Sequence, residues 1–168
     1  MTAPITIRPA TEQDIPTILG FIRDLAKYEH LEHEVVATES SLRQTLFGAR
    51  PYAEVVFASL DGIPQGFALF FHNYSTFLGK PGIYLEDLFV RPQHRGKGIG
   101  KALLSTVAAI AQSEGCPRLE WAVLDWNTPA IDFYHSLGAL PMSEWTTMRV
   151  SGPALTQLAA LTAPHSKD

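Results

Sequence analysis

The chain of 168 residues has a single cysteine, Cys116. One cysteine excludes an intramolecular disulfide and any zinc site built on several thiolates. There is no surplus of basic residues. Lys+Arg number 13 against 17 Asp+Glu, a net charge of −4. Strong non-specific binding to nucleic acid needs the opposite balance, so no nucleic-acid partner is expected. No apolar run approaches the roughly 18 residues of a membrane span. The first residues, MTAPITIRPATEQD, have neither a basic start nor an apolar stretch, so no signal peptide is read there. What is present is a globular mixture, 46% hydrophobic and 18% charged. A chain of this length buries enough surface to hold one core without staples. The expectation is one cytoplasmic domain covering residues 1–168, with no membrane association.

Hydrophobic periodicity divides the chain. ITIRPA alternates as a short opening strand. Thr11 then precedes the helically spaced Ile15, Ile18, Leu19, Ile22 and Leu25. A second helix is predicted over 38–47, ended by Gly48 and Pro51. Strands are predicted over 54–60 and 63–72, joined by the turn pair Asp61-Gly62. A loop is read from 73 to 82, then a strand over 83–90. A helix follows the glycine-rich stretch and stops at Gly115. Further elements are a strand over 118–124, a helix over 128–137, a strand pair within 140–150 and a terminal helix over 153–162. Strands alternating with helices point to a single layered α/β or α+β fold.

The sharpest motif is Arg95-Gly96-Lys97-Gly98-Ile99-Gly100, set between a strand and a helix. Glycines allow tight turns and bring backbone N–H groups close to an anion. The helix that opens there adds the positive end of its dipole. Segment 91–101 holds Arg91, Arg95, Lys97 and Lys101 and no acid. These features describe a phosphate cradle. A Walker A loop does not fit: its first glycine falls on Arg95, and Ala102 replaces the hydroxyl that holds magnesium. The dinucleotide fingerprint fails at Lys101, where its third glycine belongs.

R-G-K-G-I-G after IYLEDLFVRPQH resembles the acetyl-CoA-binding motif Q/R-x-x-G-x-G/A of the GNAT N-acetyltransferase superfamily, with Arg95, Gly98 and Gly100 at the named positions. IRPAT, LAKYE, YLEDLFV, RGKGIG and WNTPAIDFY also occur in the order seen in its diamine acetyltransferase branch, which includes spermidine/spermine and thialysine N-acetyltransferases. The resemblance spans residues 5–150. It implies a central mixed, mostly antiparallel twisted sheet flanked by helices, with a splayed strand pair holding acetyl-CoA. It also implies direct transfer of acetyl to an amine, and a homodimer.

Such a transfer meets two proton problems. A primary amine has a pKa of about 10.4, so near pH 7.4 only about one molecule in a thousand is neutral. A base must accept its proton, and the departing CoA thiolate needs an acid. Glu86 matches the branch's strand glutamate and is the candidate base; the alternative is a solvated acid on an edge strand. Simple alternation turns Glu86 and Asp87 to opposite faces. Tyr134 matches the family's tyrosine beside the thioester sulfur and is the candidate acid; the alternative is a core tyrosine. Asn127 matches a pantetheine contact, and also suits the N-cap of helix 128–137. The remaining cofactor contacts implied are the backbone of Leu88, Phe89 and Val90, and the loop residues Arg95, Gly96, Lys97, Gly98, Ile99, Gly100 and Lys101.

Segment 28–39 carries four glutamates and no Lys or Arg. Tyr28 and Glu29 match the branch's K-Y-E substrate segment. With Glu86 and Asp87 they form the expected binding site for a small cationic amine. Tyr74-Ser75-Thr76-Phe77 lacks the acid and tryptophan of the spermidine/spermine enzymes and looks more like the thialysine branch. His30 and His33 are spaced like ligands but lack the H-E-x-x-H order, and no metal is expected. His72, His94, His135 and His165 have no evident partner. The other classes weighed are a protein or peptide amine acetyltransferase, a non-catalytic acetyl-CoA-binding module and a nucleotide-binding domain.

Overall fold

A computed structural model of the chain describes residues 4–162; Met1, Thr2, Ala3 and residues 163–168, His165 among them, lie outside the described part. The chain divides into two compact units, Met1–Ala122 and Val123–Asp168. The first holds a five-stranded sheet in the order β1-β2-β3-β4-β5. Its strands are β1 (Thr6–Pro9), β2 (Glu54–Leu60), β3 (Ile63–Ser75), β4 (Lys80–Val90) and β5 (Leu119–Glu120). The first four run antiparallel to their neighbours; β5 is parallel to β4. This is the mixed, mostly antiparallel sheet expected.

Helices α1 (Ile15–Glu29), α2 (Glu39–Phe47) and α3 (Ile99–Ser113) belong to the same unit. The entry to α1 is held by Asp14. Its carboxylate accepts two hydrogen bonds from Arg8 at 2.8 Å each, and one from the Thr11 N–H. That guanidinium drives the Asp14 pKa far below the ordinary carboxylate range. Phe21 of α1 is fully buried, stacked on Phe67 at 5.2 Å and edge-on to Phe89 at 6.4 Å. Helix α3 covers the opposite face. At Gly66 a Cβ would lie 2.9 Å from the Phe89 carbonyl oxygen and 3.1 Å from both Ile99 and Leu103. Only glycine lets α3 come so close, and its N-terminus is where the glycine loop ends.

The β2–β3 turn has positive φ at both central residues, Asp61 (51°) and Gly62 (76°). That is the mirror-type turn matching strand twist. The loop predicted over 73–82 shrinks to 76–79, because Ser75 pairs with Lys80 and both strands run further than their apolar patterns. β5 is shorter than its predicted strand and pairs only through Ile83↔Leu119 and Tyr84↔Glu120. Beyond Tyr84, β4 continues without it, which is the splay.

The second unit holds α4 (Thr128–Ser136) and α5 (Gly152–Ala159). The strand pair predicted within 140–150 does not form among the described residues. Leu140, Trp145 and Met148 stand largely exposed. A hairpin with no further strand to pair with is marginal in water. Among the described residues, no helix is long and apolar enough to cross a membrane.

Candidate active site

The centre of the first unit's site is a break in β4. Leu69 pairs with Asp87, but its neighbour Phe70 pairs with Leu85, leaving Glu86 as an extra residue in β4. Successive residues of β3 face opposite sides, and paired residues share a face. Leu85 and Asp87 therefore lie on opposite faces although they are two apart. The simple alternation predicted for Glu86 and Asp87 is interrupted at this bulge, a device that re-aims side chains. Asp87 ends on the α1 side of the sheet, while Glu86 is exposed.

Asp87 has the most telling chemistry. Its pKa is pushed up to about 7, first by burial, then by the negative charges of Glu86 and Glu29. Glu29, the last residue of α1, is itself raised by burial. Three carboxylates from one helix end and one strand thus share a field. Tyr28 precedes Glu29 in the sequence, with its ring 6.4 Å from that of Phe89.

The cofactor-side residues follow directly. Leu88, Phe89 and Val90 pair with Ala68, Phe67 and Gly66. A single turn of 3₁₀ helix, Pro92–His94, leads into the glycine loop. Gly96 and Gly98 take the left-handed conformation, with φ of 73° and 85°. Gly98 is the N-cap of α3, whose first turn carries no acid and includes Ile99, Gly100 and Lys101. Ile99 is buried, whereas Lys97 and Lys101 are exposed. The first-turn amides of a helix lack intrahelical partners, so this end offers N–H donors and positive charge together. Those groups fit a phosphate-bearing ligand.

One contact had no signal in the sequence. The Arg95 guanidinium lies 4.3 Å from the Tyr28 ring centre and 5.4 Å from that of Phe89. Its Nε donates to the Val90 carbonyl at 3.0 Å. Arg95 therefore joins the glycine loop to the segment expected to bind the amine. Arg91, counted with the basic phosphate cradle in the sequence, instead stacks on Phe21 at 4.8 Å and pairs with Asp24 at 3.6 Å.

In the second unit, Asn127 is nearly buried and caps α4, its side chain accepting from the Ala130 N–H at 3.4 Å. Tyr134 lies on α4, its ring 5.4 Å from that of Phe133.

The sequence profile of the acetyltransferase (GNAT) family matches residues 20–139. The chain belongs to the GNAT family. This GNAT protein is 42% identical to the thialysine N-epsilon-acetyltransferase of Bos taurus, over 92% of this chain and 97% of the relative. It is 36% identical to the L-ornithine N5-acetyltransferase NATA1 of Arabidopsis thaliana, over 92% and 88% of the two chains. Among solved structures, an integron cassette protein from V. cholerae superposes with a TM-score of 0.78 at 28% identity, covering 92% and 97% of the two chains. Membership and these relatives make the chain an N-acetyltransferase. The family implies acetyl-CoA as its cosubstrate.

Proposed function

We propose that this acetyltransferase moves acetyl from acetyl-CoA directly to the terminal primary amine of a small cationic molecule, of the thialysine, ornithine or diamine kind. The observation that carries this reading is the group of Glu29, Glu86 and Asp87 around a carboxyl poised near pH 7. A site with three acids attracts an ammonium group, and a base poised near the working pH suits removal of its proton. Tyr28 lines the same site. Asp87 holds the ammonium and takes its proton, and Glu86, exposed at the bulge and the base expected from the sequence, relays that proton to water.

The glycine loop from Arg95 to Lys101, with Gly96, Lys97, Gly98, Ile99 and Gly100 between them, holds the CoA phosphates. Backbone groups of Leu88, Phe89 and Val90 take the pantetheine arm in the manner of an added strand. Asn127 adds a contact to that arm, and Tyr134 protonates the departing thiolate. No step calls for a metal, nucleic acid or membrane, and the reading places the enzyme in the cytoplasm. At the start of the β3–β4 turn, Ser75 is nearly buried and its hydroxyl accepts from the Leu78 N–H at 3.3 Å. The position at which the polyamine branch carries an acid is thus a turn residue here, which favours a short amine over a long polyamine.

The test is thiol release from acetyl-CoA with thialysine, lysine, ornithine, spermidine and a lysine peptide. The short diamino acids should support the highest kcat/KM. Peptide as the best acceptor, or no release above background with any amine, would overturn the reading.

A homodimer belongs to the same proposal. Leu140, Met142, Trp145, Met148, Leu155 and Leu158 are all more than half exposed. The residues between 140 and 150 have the apolar pattern of strands but form none in the single chain, so a second copy is the occupant proposed for them. Light scattering should give twice the chain mass. A monomer mass that does not change with concentration would contradict it.

A further inference from the structure

His72, Glu114 and Cys116 come together at the end of α3 opposite the glycine loop. Helix α3 has 15 residues, so this end stands about 22 Å from the loop. His72 Nε2 lies 2.6 Å from Glu114 Oε2. These two atoms and the Cys116 sulfur all lie within 4.8 Å of one another. It is the one such group of three or more metal-ligating side chains among the described residues. We propose that these three side chains bind a divalent transition-metal ion of the zinc type, outside the acetyl-transfer site.

Each ligand sits on an element fixed by other contacts. His72 lies in β3 opposite Ile83 and on the same face as Phe70, the face that α3 covers. Glu114 caps α3, donating its N–H to the Ile110 carbonyl at 3.0 Å. Gly115 then turns with φ of 71°, and the Cys116 N–H returns to the Ala111 carbonyl at 2.8 Å. The sheet and the helix end thus present imidazole, carboxylate and thiol from a stiff frame.

The donor set selects the class of ion. Magnesium and calcium prefer oxygen alone, whereas nitrogen, oxygen and sulfur together suit zinc and its neighbours. Bonds of about 2.0–2.3 Å in a tetrahedron place donors roughly 3.3–3.6 Å apart. His72 and Glu114 need to part by less than about 1 Å, and the ion replaces the proton they share. Cys116 releases its thiol proton to solvent on binding, since the thiolate is the ligand. The thiolate and the Glu114 carboxylate then balance the two charges of the ion. Cys116 is 7% exposed, while His72 and Glu114 are about four-tenths exposed in their side chains. Solvent reaches the site, and water completes the fourth position. A bound ion would pin the far end of β3 to α3, which leaves acetyl transfer itself untouched.

The experiment is a titration of the metal-free full chain with cobalt(II) and then zinc(II). One equivalent of cobalt should give a near-ultraviolet sulfur-to-cobalt band with tetrahedral visible bands, and zinc should displace it. Cys116→Ser should lose the near-ultraviolet band. His72→Gln and Glu114→Gln should each weaken binding by at least about tenfold, the lower figure known for losing even an outer-shell partner. All three should keep wild-type acetyl transfer with the metal removed. If Cys116→Ser fails to fold, the two half-exposed positions carry the test alone. No stoichiometric binding by the wild type, or affinity unchanged in the variants that fold, overturns the site.

Discussion

Asp87→Asn is expected to stabilise the protein at pH 8 while lowering kcat/KM by about 10²–10⁴-fold, the usual worth of an acid–base group. The two effects share one cause. Burial, Glu86 and Glu29 raise the Asp87 carboxyl to about 7, whereas in an unfolded chain it titrates near 3.9. Between about pH 4 and pH 7 the folded state therefore holds a proton that the unfolded state has released. Stability from this group is greatest below the lower value and is lost as pH rises through the upper one, a change of about 4 kcal/mol. Asparagine removes the ionisation, so a gain of about 2–4 kcal/mol should appear in denaturant unfolding at pH 8 and vanish near pH 4. The wild-type rate should show the complementary profile. Below about pH 7, Asp87 is protonated and neither attracts an ammonium nor accepts its proton, so kcat/KM should fall tenfold per pH unit. Glu86→Gln should move that inflection to lower pH, because one of the like charges raising Asp87 is gone. An Asp87→Asn variant of unchanged activity, or a profile flat between pH 6 and pH 8, would remove Asp87 from the proton path.

The second large effect concerns the other end of the reaction. Tyr134→Phe should lower kcat by about 10²–10⁴-fold and change KM for acetyl-CoA little, because the ring and its contact with Phe133 are kept. A phenol with a pKa of about 10 delivers its proton to a thiolate whose conjugate acid is near 8.5. An acetyl thioester with a more acidic thiol leaves without such help, so the difference between Tyr134→Phe and wild type should shrink on that donor. Equal loss on both donors would mean that the hydroxyl acts elsewhere. Unchanged turnover with acetyl-CoA would remove the acid assignment.

Much of this was legible in the sequence where local rules dominate. The period of Ile15, Ile18 and Leu19 fixed the buried face of α1, and Asp61-Gly62 named its turn. The charge bias of 91–101 and its glycines marked the α3 N-terminus. What escaped depends on long-range pairing. The bulge at Glu86 is a property of the register between β3 and β4, invisible in YLEDLFV, yet it sends Asp87 to the side of Glu29. Arg95 stacking on Tyr28 joins residues 67 apart in sequence. His72 meets Glu114 only because α3 ends beside β3. The segment 140–150 shows the converse error: it has the apolar alternation of strands, but alternation does not supply a neighbour to pair with.

Direct transfer to a small amine is tested most closely by acetyl-CoA labelled in its acetyl group, mixed with the enzyme and thialysine, with amine, thiol and intact protein followed by mass spectrometry. One labelled acetyl on the amine for each thiol released, with the protein mass unchanged at every time point, is the predicted result. Label retained on the protein before it reaches the amine, or thiol released with no acetylated amine, would contradict it.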